Sequence, residues 1–460
     1  MGRTLSRRAV LRPERLIWIL LLVLLAERLL LFRQFGLSYF SYSDDTAYIE
    51  SGRRFTETGI ISMWGPYPSA MIMPGMPVLI GVFARLFGEG SVFYLALRLL
   101  WILMGVATAY VVYRTAVLIA GGWAGLLAAS GFLLPNMAWM NHVILTETPY
   151  LLLFSLCLYL TFQMGRRDRR GDRIGYLLGF TAALMIRSNI LLLLPFTALW
   201  LLLKRRGVPL RRLLLSLGCL LLLLLTPWTI RNYRLFDAFI PLTYGAGNPL
   251  LLGTYQGEGF PADEELDYGS GVDAVMRERY GAYYRDEAVP WAEDELDEYR
   301  KLFDPEGEIS EERLAQYLRL EADGLKARYR LREWWRRGPG SLLKSYLYIK
   351  PRWMLNWAWA WESAFGVPYA VLHRIFQLNF LLCGLALLLA LLLKRCRAPL
   401  FFLGALYWVS VYLYSLAFVS DRYSSVFTGL RFTIAGVGLS LLPEAFRRLR
   451  RRRGSGVPTS

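Results

Sequence analysis

Two adjacent carboxylates, Asp44 and Asp45, follow the first long apolar run of the chain, in "SYSDDTAYIE". Glu147 and His142 follow a later apolar run, in "NHVILTETPY". Basic residues stand at the ends of further runs: Arg187, Arg231, Lys350, Arg352, Arg422 and Arg431. A carboxylate can accept a proton, and cations can hold a phosphate leaving group. If one membrane face gathers these residues, they suit a reaction between a lipid phosphate and a hydroxyl or amine acceptor.

Long apolar runs predict that these residues lie at the ends of membrane spans. Of the 460 residues, 55% are hydrophobic, and the mean hydropathy is +0.34. An apolar run of about 20 residues can cross a hydrocarbon core of about 30 Å. We predict ten spans, near 16–35, 92–119, 122–139, 143–162, two within 174–203, 212–228, 375–393, 399–419 and 430–446. In the first span we expect Arg28 to snorkel toward the interface.

The basic clusters set the predicted orientation. The formal net charge is +17, and the clusters "RRDRRGDR", "KRRGVPLRR", "KRCR" and "RRLRRRR" lie beside apolar runs, which is typical of cytoplasmic loops rather than of nucleic-acid binding. Both termini are then cytoplasmic, and the first polar loop (36–90) and the large polar loop (229–370) lie outside. We predict an all-α polytopic membrane protein with short helices at the membrane surface and a mixed outer loop domain. Its modules are 1–228, 229–370 and 371–460.

Several other classes of protein are excluded or disfavoured. The four cysteines form no CxxC pair, so neither a disulfide framework nor a zinc site is implied. Two histidines are too few for a histidine-rich metal centre. There is no GxGxxG, Walker loop, GxSxG or HExxH. These absences disfavour a nucleotide-dependent pump, and the short inner loops disfavour a cytoplasmic nucleotide-sugar enzyme.

Each acidic candidate also has a structural alternative. Asp44 and Asp45 precede Thr46, and the pair would cap a short helix. Glu147 would pair with His142 at the interface. For the basic candidate Arg187, the alternative is a helix C-terminus, where a cation is favourable.

The remaining basic candidates have alternatives of the same kind. Lys350 and Arg352 lie in the aromatic strip "YLYIKPRWMLNWAWAWE", where they would anchor the chain at the interface. Arg422 and Arg431 would be ordinary charges at the ends of spans.

A family resemblance gives these residues more specific roles. The order "SDDTAYIESGRRFTETG", "HVILTETPYLLLFSLCLYL", "IRSNILLLLP" and "PWTIRNYRLFDAFIPLTYGAG" resembles the bacterial integral-membrane glycosyltransferases of the GT-C fold. The pattern is most similar to the protein mannosyltransferase and lipid A aminoarabinose transferase families, over most of 16–250. The resemblance implies a catalytic Asp44 with Asp45 beside it, a second acid at Glu147 and a basic residue at Arg187. It also places the Arg of the family's "RYxxP" motif at Arg431, where no Pro follows.

The resemblance further implies a polyprenyl-phosphate sugar as donor. We therefore predict an inverting glycosyltransferase on the outer side of a prokaryotic cytoplasmic membrane, acting on a lipid, glycan or protein acceptor. Asp44 would be the base, and a divalent cation is one way in which Asp45 would help to order the site. A transporter or flippase of a lipid-linked sugar is the alternative. Such proteins often have two related halves, and the sequence shows no such repeat. A non-catalytic scaffold would not need the acids.

The orientation can be tested with single cysteines in a variant that lacks the native four. Gly171→Cys lies in a basic cluster, and Gly269→Cys lies in the large polar loop. Because basic loops stay in the cytoplasm, a membrane-impermeant maleimide added to intact cells should label position 269 and spare position 171. Labelling of both positions from the same side would contradict the predicted orientation.

Overall fold

The computed structural model describes residues 12–37, 40, 44–63, 68–167, 169–236, 238–280, 311–355 and 363–454, which are mostly helical. The helices are α1 (Pro13–Phe35), α2 (Asp44–Thr58), α3 (Gly75–Phe87), α4 (Ser91–Ala120), α5 (Gly122–Ser130), α6 (Pro135–Met140), α7 (Glu147–Arg166), α8 (Arg170–Ile186), α9 (Leu193–Leu203), α10 (Gly207–Phe236), α11 (Gly247–Gly253), α12 (Ala274–Tyr280), α13 (Glu311–Arg337), α14 (Pro339–Lys344), α15 (Lys350–Leu355), α16 (Tyr369–Leu393), α17 (Arg397–Ser415) and α18 (Thr428–Gly454). Short 3-10 helices cover Gly131–Leu133, Ser188–Leu192, Asp263–Glu265 and Asp421–Phe427. Single π-helical turns cover Gly269–Asp273 and Ser345–Ile349. Strands β1 (Ser363–Ala364) and β2 (Val367–Pro368) form one antiparallel hairpin.

The predicted all-α polytopic class is confirmed. Among the described residues, six helical segments are long and apolar enough to cross a membrane: Ser91–Ala120, Glu147–Arg166, Gly207–Phe236, Tyr369–Leu393, Arg397–Ser415 and Arg422–Arg448. Shorter apolar helices cover Gly75–Phe87, Gly122–Leu133 and Ser188–Leu203. The number of ten spans, their orientation and the division into three modules stay predictions.

The predicted span over 122–139 is wrong as a continuous helix. Helix α5 ends at Ser130, a 3-10 turn follows, and α6 begins at Pro135. Leu134 between them is extended, with φ −66° and ψ 127°. A residue before proline is forced out of the helical region, so Pro135 explains the break. The next span also starts later than expected, since α7 begins at Glu147 and not near 143.

The expectation that Arg28 snorkels is also wrong. Its side chain is fully buried inside the bundle. Its Nε donates to Asn141 Oδ1 at 2.9 Å, and its Nη2 donates to the backbone oxygen of Phe132 at 3.0 Å. Asn141 Nδ2 in turn donates to Thr148 Oγ1 at 3.2 Å. A buried guanidinium needs such partners, and here they join α1 to both sides of the helix break and to the first turn of α7.

Glycines allow two pairs of helices to approach closely. A Cβ on Gly52 of α2 would lie 2.4 Å from Ile80 Cγ2 of α3. A Cβ on Gly436 of α18 would lie 2.5 Å from the backbone nitrogen of Ala128 in α5. Small residues at such crossings let the backbones of membrane helices meet. The first pair fixes α2, which begins with Asp44, and the second fixes the C-terminal helix in the bundle.

A buried lysine joins two parts of the large polar loop. Lys350 is fully buried at the start of α15. Its Nζ donates to the backbone oxygen of Gly253 at 2.9 Å and lies 3.9 Å from the centre of the Tyr346 ring. Burial disfavours the charged form and lowers the pKa of Lys350 to about 7. This lysine therefore fixes the end of α11 against α15.

Gly105→Ala should lower stability, because the Cβ of an alanine there would lie 2.0 Å from Asn141 Oδ1 and displace the amide that Arg28 binds. We expect a loss of about 1–3 kcal/mol, the usual scale for overpacking. Gly384→Ala in α16 is the matched control, since nothing lies within 4 Å of its Cβ position. Thermal unfolding of both purified variants would check this, and equal midpoints would contradict it.

The buried Lys350 should make stability depend on pH. Between pH 7 and 10.5 its ammonium is lost in the folded state and kept in the unfolded state. The unfolded state then binds more protons, so the free energy of unfolding should rise with pH in this window, by at most about 1.4 kcal/mol per pH unit. Lys350→Met should lack this rise. Urea unfolding of both proteins across the window measures the difference, and a flat difference would contradict the prediction.

Candidate active site

Arg422 joins two carboxylates that are far apart in the sequence. Its Nη2 donates to Asp44 Oδ2 at 2.5 Å, and its Nε lies 3.1 Å from Glu147 Oε1. Asp44 is the first residue of α2, Glu147 is the first residue of α7, and Arg422 lies in the 3-10 helix before α18. A carboxylate at a helix N-terminus is stabilised by the helix dipole. Three helix starts therefore meet at one charged cluster.

Arg187 completes this cluster. Its Nη1 lies 3.1 Å from Glu147 Oε1, the same oxygen that faces Arg422. Arg187 follows α8 with an extended backbone, φ −147° and ψ 124°, and the 3-10 helix Ser188–Leu192 comes next. Glu147 is 1% exposed, whereas the side chains of Arg187, Arg422 and Asp44 are 17%, 19% and 20% exposed. The cluster thus has one buried carboxylate beneath two arginines and a second carboxylate that solvent reaches.

Four tyrosines surround the cluster, and the sequence analysis did not identify them. The ring of Tyr423 lies 5.5 Å from the guanidinium carbon of Arg422 and 5.7 Å from that of Arg187. Tyr150 lies one turn after Glu147, with its ring 6.0 Å from Arg187. The other two are Tyr48, one turn after Asp44, and Tyr414, whose hydroxyl accepts a hydrogen bond from Asn189. The available signal was the helical spacing after each acid, four residues from Asp44 to Tyr48 and three from Glu147 to Tyr150.

Asp45 makes a separate contact from Asp44. It is fully buried, and its Oδ1 accepts a hydrogen bond from the backbone N–H of Thr46 at 3.0 Å. Among the described residues there is no group of three or more His, Cys, Asp or Glu side chains that could hold a metal ion. Asp44 meanwhile faces Arg422, so the two aspartates do not present a shared pair of oxygens to a cation. The predicted divalent cation stays a prediction, and the mechanism proposed here does not use one.

The structure places His142 and Arg431 inside the bundle, away from the charged cluster. Both ring nitrogens of His142 face backbone oxygens, Nδ1 that of Ala138 at 2.7 Å and Nε2 that of Arg28 at 3.0 Å. His142 therefore belongs to the polar network around Arg28 and not to Glu147. Arg431 is fully buried in α18, where its backbone oxygen faces the Cys383 thiol.

Three further basic candidates make other contacts. Arg231 donates to the backbone oxygens of Ser69 at 2.8 Å and Ile61 at 3.2 Å, and thereby fixes the first polar loop to α10. Lys350 binds Gly253, as described above. Arg352 is exposed. Of the six predicted phosphate-binding residues, the structure gathers Arg187 and Arg422 with the acids.

The Arg-Tyr pair at the charged cluster is Arg422-Tyr423, and not Arg431-Phe432, where the resemblance places the family's "RYxxP" motif. The signal in the sequence was the dipeptide itself, in "SDRYSS". It lies nine positions before Arg431, ahead of the apolar run of α18 and outside the last predicted span.

Comparison with known proteins supports the fold. The sequence model of the dolichyl-phosphate-mannose-protein mannosyltransferase family matches residues 69–230. No curated protein sequence matches the chain. The structure of ArnT from Cupriavidus metallidurans bound to undecaprenyl phosphate is 16% identical, with a TM-score of 0.40 over 93% of this chain and 77% of ArnT.

The fold assignment rests on a second structure, that of the archaeal oligosaccharyltransferase AglB from Archaeoglobus fulgidus in complex with an inhibitory peptide and a dolichol-phosphate. It has a TM-score of 0.52 and 12% identity over 97% of this chain. The chain spans about half of AglB, 53% of its length. The resemblance seen in the sequence is confirmed: the chain has the GT-C fold of integral-membrane glycosyltransferases, and its residues 69–230 are similar to the dolichyl-phosphate-mannose-protein mannosyltransferase family.

Proposed function

We propose that this protein is an inverting glycosyltransferase that moves a sugar from a polyprenyl-phosphate donor to a hydroxyl or amine acceptor on the non-cytoplasmic face of the membrane. The observation that carries the proposal is the contact of Arg422 with both Asp44 and Glu147, next to Arg187. This cluster combines a solvent-accessible base with two guanidinium groups. The dolichol-phosphate bound to AglB and the dolichyl-phosphate in the family's description support the donor class.

In the proposed reaction, Asp44 accepts the proton of the acceptor hydroxyl or amine. The acceptor atom then forms a bond to the anomeric carbon while the bond from that carbon to the phosphate oxygen breaks. The products are the inverted glycoside, the polyprenyl phosphate and a protonated Asp44. Oδ2 of Asp44 accepts the hydrogen bond from Arg422. Among the contacts of Asp44 with described residues, none engages Oδ1, which can therefore take the proton.

The two arginines stabilise the phosphate that leaves. A guanidinium can bind two phosphate oxygens at once through parallel N–H groups. This interaction stabilises most where negative charge develops in the transition state. Glu147 lies beneath both arginines at 3.1 Å from each. It is not placed to act as the base, because it is nearly inaccessible and its Oε2 also accepts a hydrogen bond from Thr146 at 3.2 Å. Its role is to hold the two guanidinium groups next to each other.

Asp44→Asn should lower turnover by roughly 10²–10⁴-fold, the scale of lost general-base catalysis, while donor binding changes only a few-fold. The assay uses purified protein in lipid nanodiscs with a radiolabelled polyprenyl-phosphate sugar and measures loss of sugar from the lipid. Glu50→Gln is the matched control, because Glu50 is exposed in the same helix. Asp45→Asn should be milder than Asp44→Asn.

The same assay separates the roles of base and phosphate ligand. Arg187→Ala should weaken donor binding by about 1.5–3 kcal/mol, the usual scale for a charged hydrogen bond. Arg187→Lys should recover only part of the lost donor affinity, since an ammonium cannot bind two phosphate oxygens in parallel.

A flippase would move the labelled donor across a bilayer without consuming it. Normal turnover by Asp44→Asn would disprove the role of Asp44 as the base, and no sugar loss with the wild type would disprove the function.

A further inference from the structure

A side chain of the large polar loop contacts the short segment that leads to Arg422. Residues 416–420 connect α17 to the 3-10 helix Asp421–Phe427 and form no regular structure. The side chain of Gln256, just after α11, contacts Val419 at both backbone groups. Gln256 Nε2 donates to Val419 O at 2.9 Å, and Val419 N donates to Gln256 Oε1 at 2.7 Å. This reciprocal pair fixes both the position and the orientation of the Val419 backbone, as a strand partner would.

The contact is buried, so its loss would leave polar backbone groups without a partner. Val419 is 6% exposed, and a buried N–H or C=O needs a hydrogen bond. Val419 lies three residues before Arg422. Displacement of this backbone would therefore move the guanidinium that touches Asp44 and Glu147.

A second contact lies two residues earlier on the same segment. A Cβ on Gly253 would lie 2.6 Å from the carbonyl carbon of Ala417, so the two backbones are in direct contact. Gly253 itself is held from the other side, since its oxygen accepts hydrogen bonds from Lys350 Nζ at 2.9 Å and from the Tyr346 hydroxyl at 3.3 Å. Residues 253–256 thus contact the segment 416–420 at two points, and two points restrain both its translation and its rotation.

We propose that Gln256 is a positioning residue for Arg422, through which the large polar loop sets the geometry of the charged cluster. The inference rests on the proposed function, because the property that it sets is the alignment of Arg422 with the donor phosphate and with Asp44. Such alignment is demanding: a displacement of about 1 Å can lower a rate by about 100-fold. The large polar loop is then part of the active site, although it adds no charged residue to the cluster.

The test compares two contacts between the same two regions. Gln256→Met keeps the length of the side chain and removes both hydrogen bonds. Tyr412→Phe is the matched control, because the Tyr412 hydroxyl donates at 3.2 Å to the backbone oxygen of Leu347 and so joins α17 to the large polar loop at a different point. Gln256→Met should lower kcat by roughly 10- to 100-fold with a smaller change in KM, and Tyr412→Phe should leave kcat within about twofold.

A double-mutant cycle distinguishes positioning from a general loss of structure. In an Arg422→Gln background, Gln256→Met should lower the residual kcat by less than about twofold, since no guanidinium is left to misplace. A merely structural role would produce the same fall in both backgrounds. Hydrogen exchange of a peptide covering 416–424 adds a readout that does not depend on activity. It should become faster in Gln256→Met and stay unchanged in Tyr412→Phe.

The possible results separate this inference from the proposed function. If the wild type transfers sugar and Gln256→Met has normal kcat, the positioning role is overturned and the function stands. Equal falls in both backgrounds, or unchanged exchange in Gln256→Met, also overturn the role. If the wild type transfers no sugar, the function fails and the inference fails with it. A fall confined to the background that contains Arg422, with faster exchange, supports the role.

Discussion

The arrangement of the charged cluster depends on one side chain, Arg422, which touches carboxylates from two distant parts of the chain. Removing charges from water is costly, and attraction offsets that cost only where the geometry is good and further hydrogen bonds are made. Glu147 is nearly inaccessible to solvent, so its ionised carboxylate would be unstable at this position without the two arginines. Asp44 is more accessible and needs less compensation. The difference in exposure supports the two roles proposed for the acids, the accessible one for proton transfer and the buried one for holding the cations.

The buried acid is itself held by polar contacts within the bundle. Arg28 binds both the 3-10 turn at Phe132 and the amide of Asn141, and Asn141 reaches Thr148, the neighbour of Glu147. The helix break between α5 and α7 therefore has partners for its backbone, as non-helical chain at membrane depth must have. From the other side, the segment that carries Arg422 is bound by Gln256. The ion pairs thus lie between two hydrogen-bonded supports, one in the bundle and one in the large polar loop.

The sequence predicted the helices well because long apolar runs identify membrane helices by length alone. It also predicted Asp44, Glu147, Arg187 and Arg422 as charged ends of helices, and the structure brings these four together. It could not predict which of the six basic residues would meet the acids, because pairing depends on how helices cross. Arg28 was misjudged for the same reason: two of its partners, Asn141 and Phe132, lie 113 and 104 positions away.

Sequence similarity covers only part of the charged cluster. The family match spans residues 69–230, which include Glu147 and Arg187 but neither Asp44 nor Arg422. The contact between Asp44 and Arg422 joins positions 378 residues apart. Helix α18, which follows the 3-10 helix that contains Arg422, packs against α4, α5 and α16. Small residues allow this packing, Gly436 against Ala128 and Gly438 against Ala386. They support the charged cluster because the close approach of these helices helps to set where the 3-10 helix with Arg422 leaves the bundle.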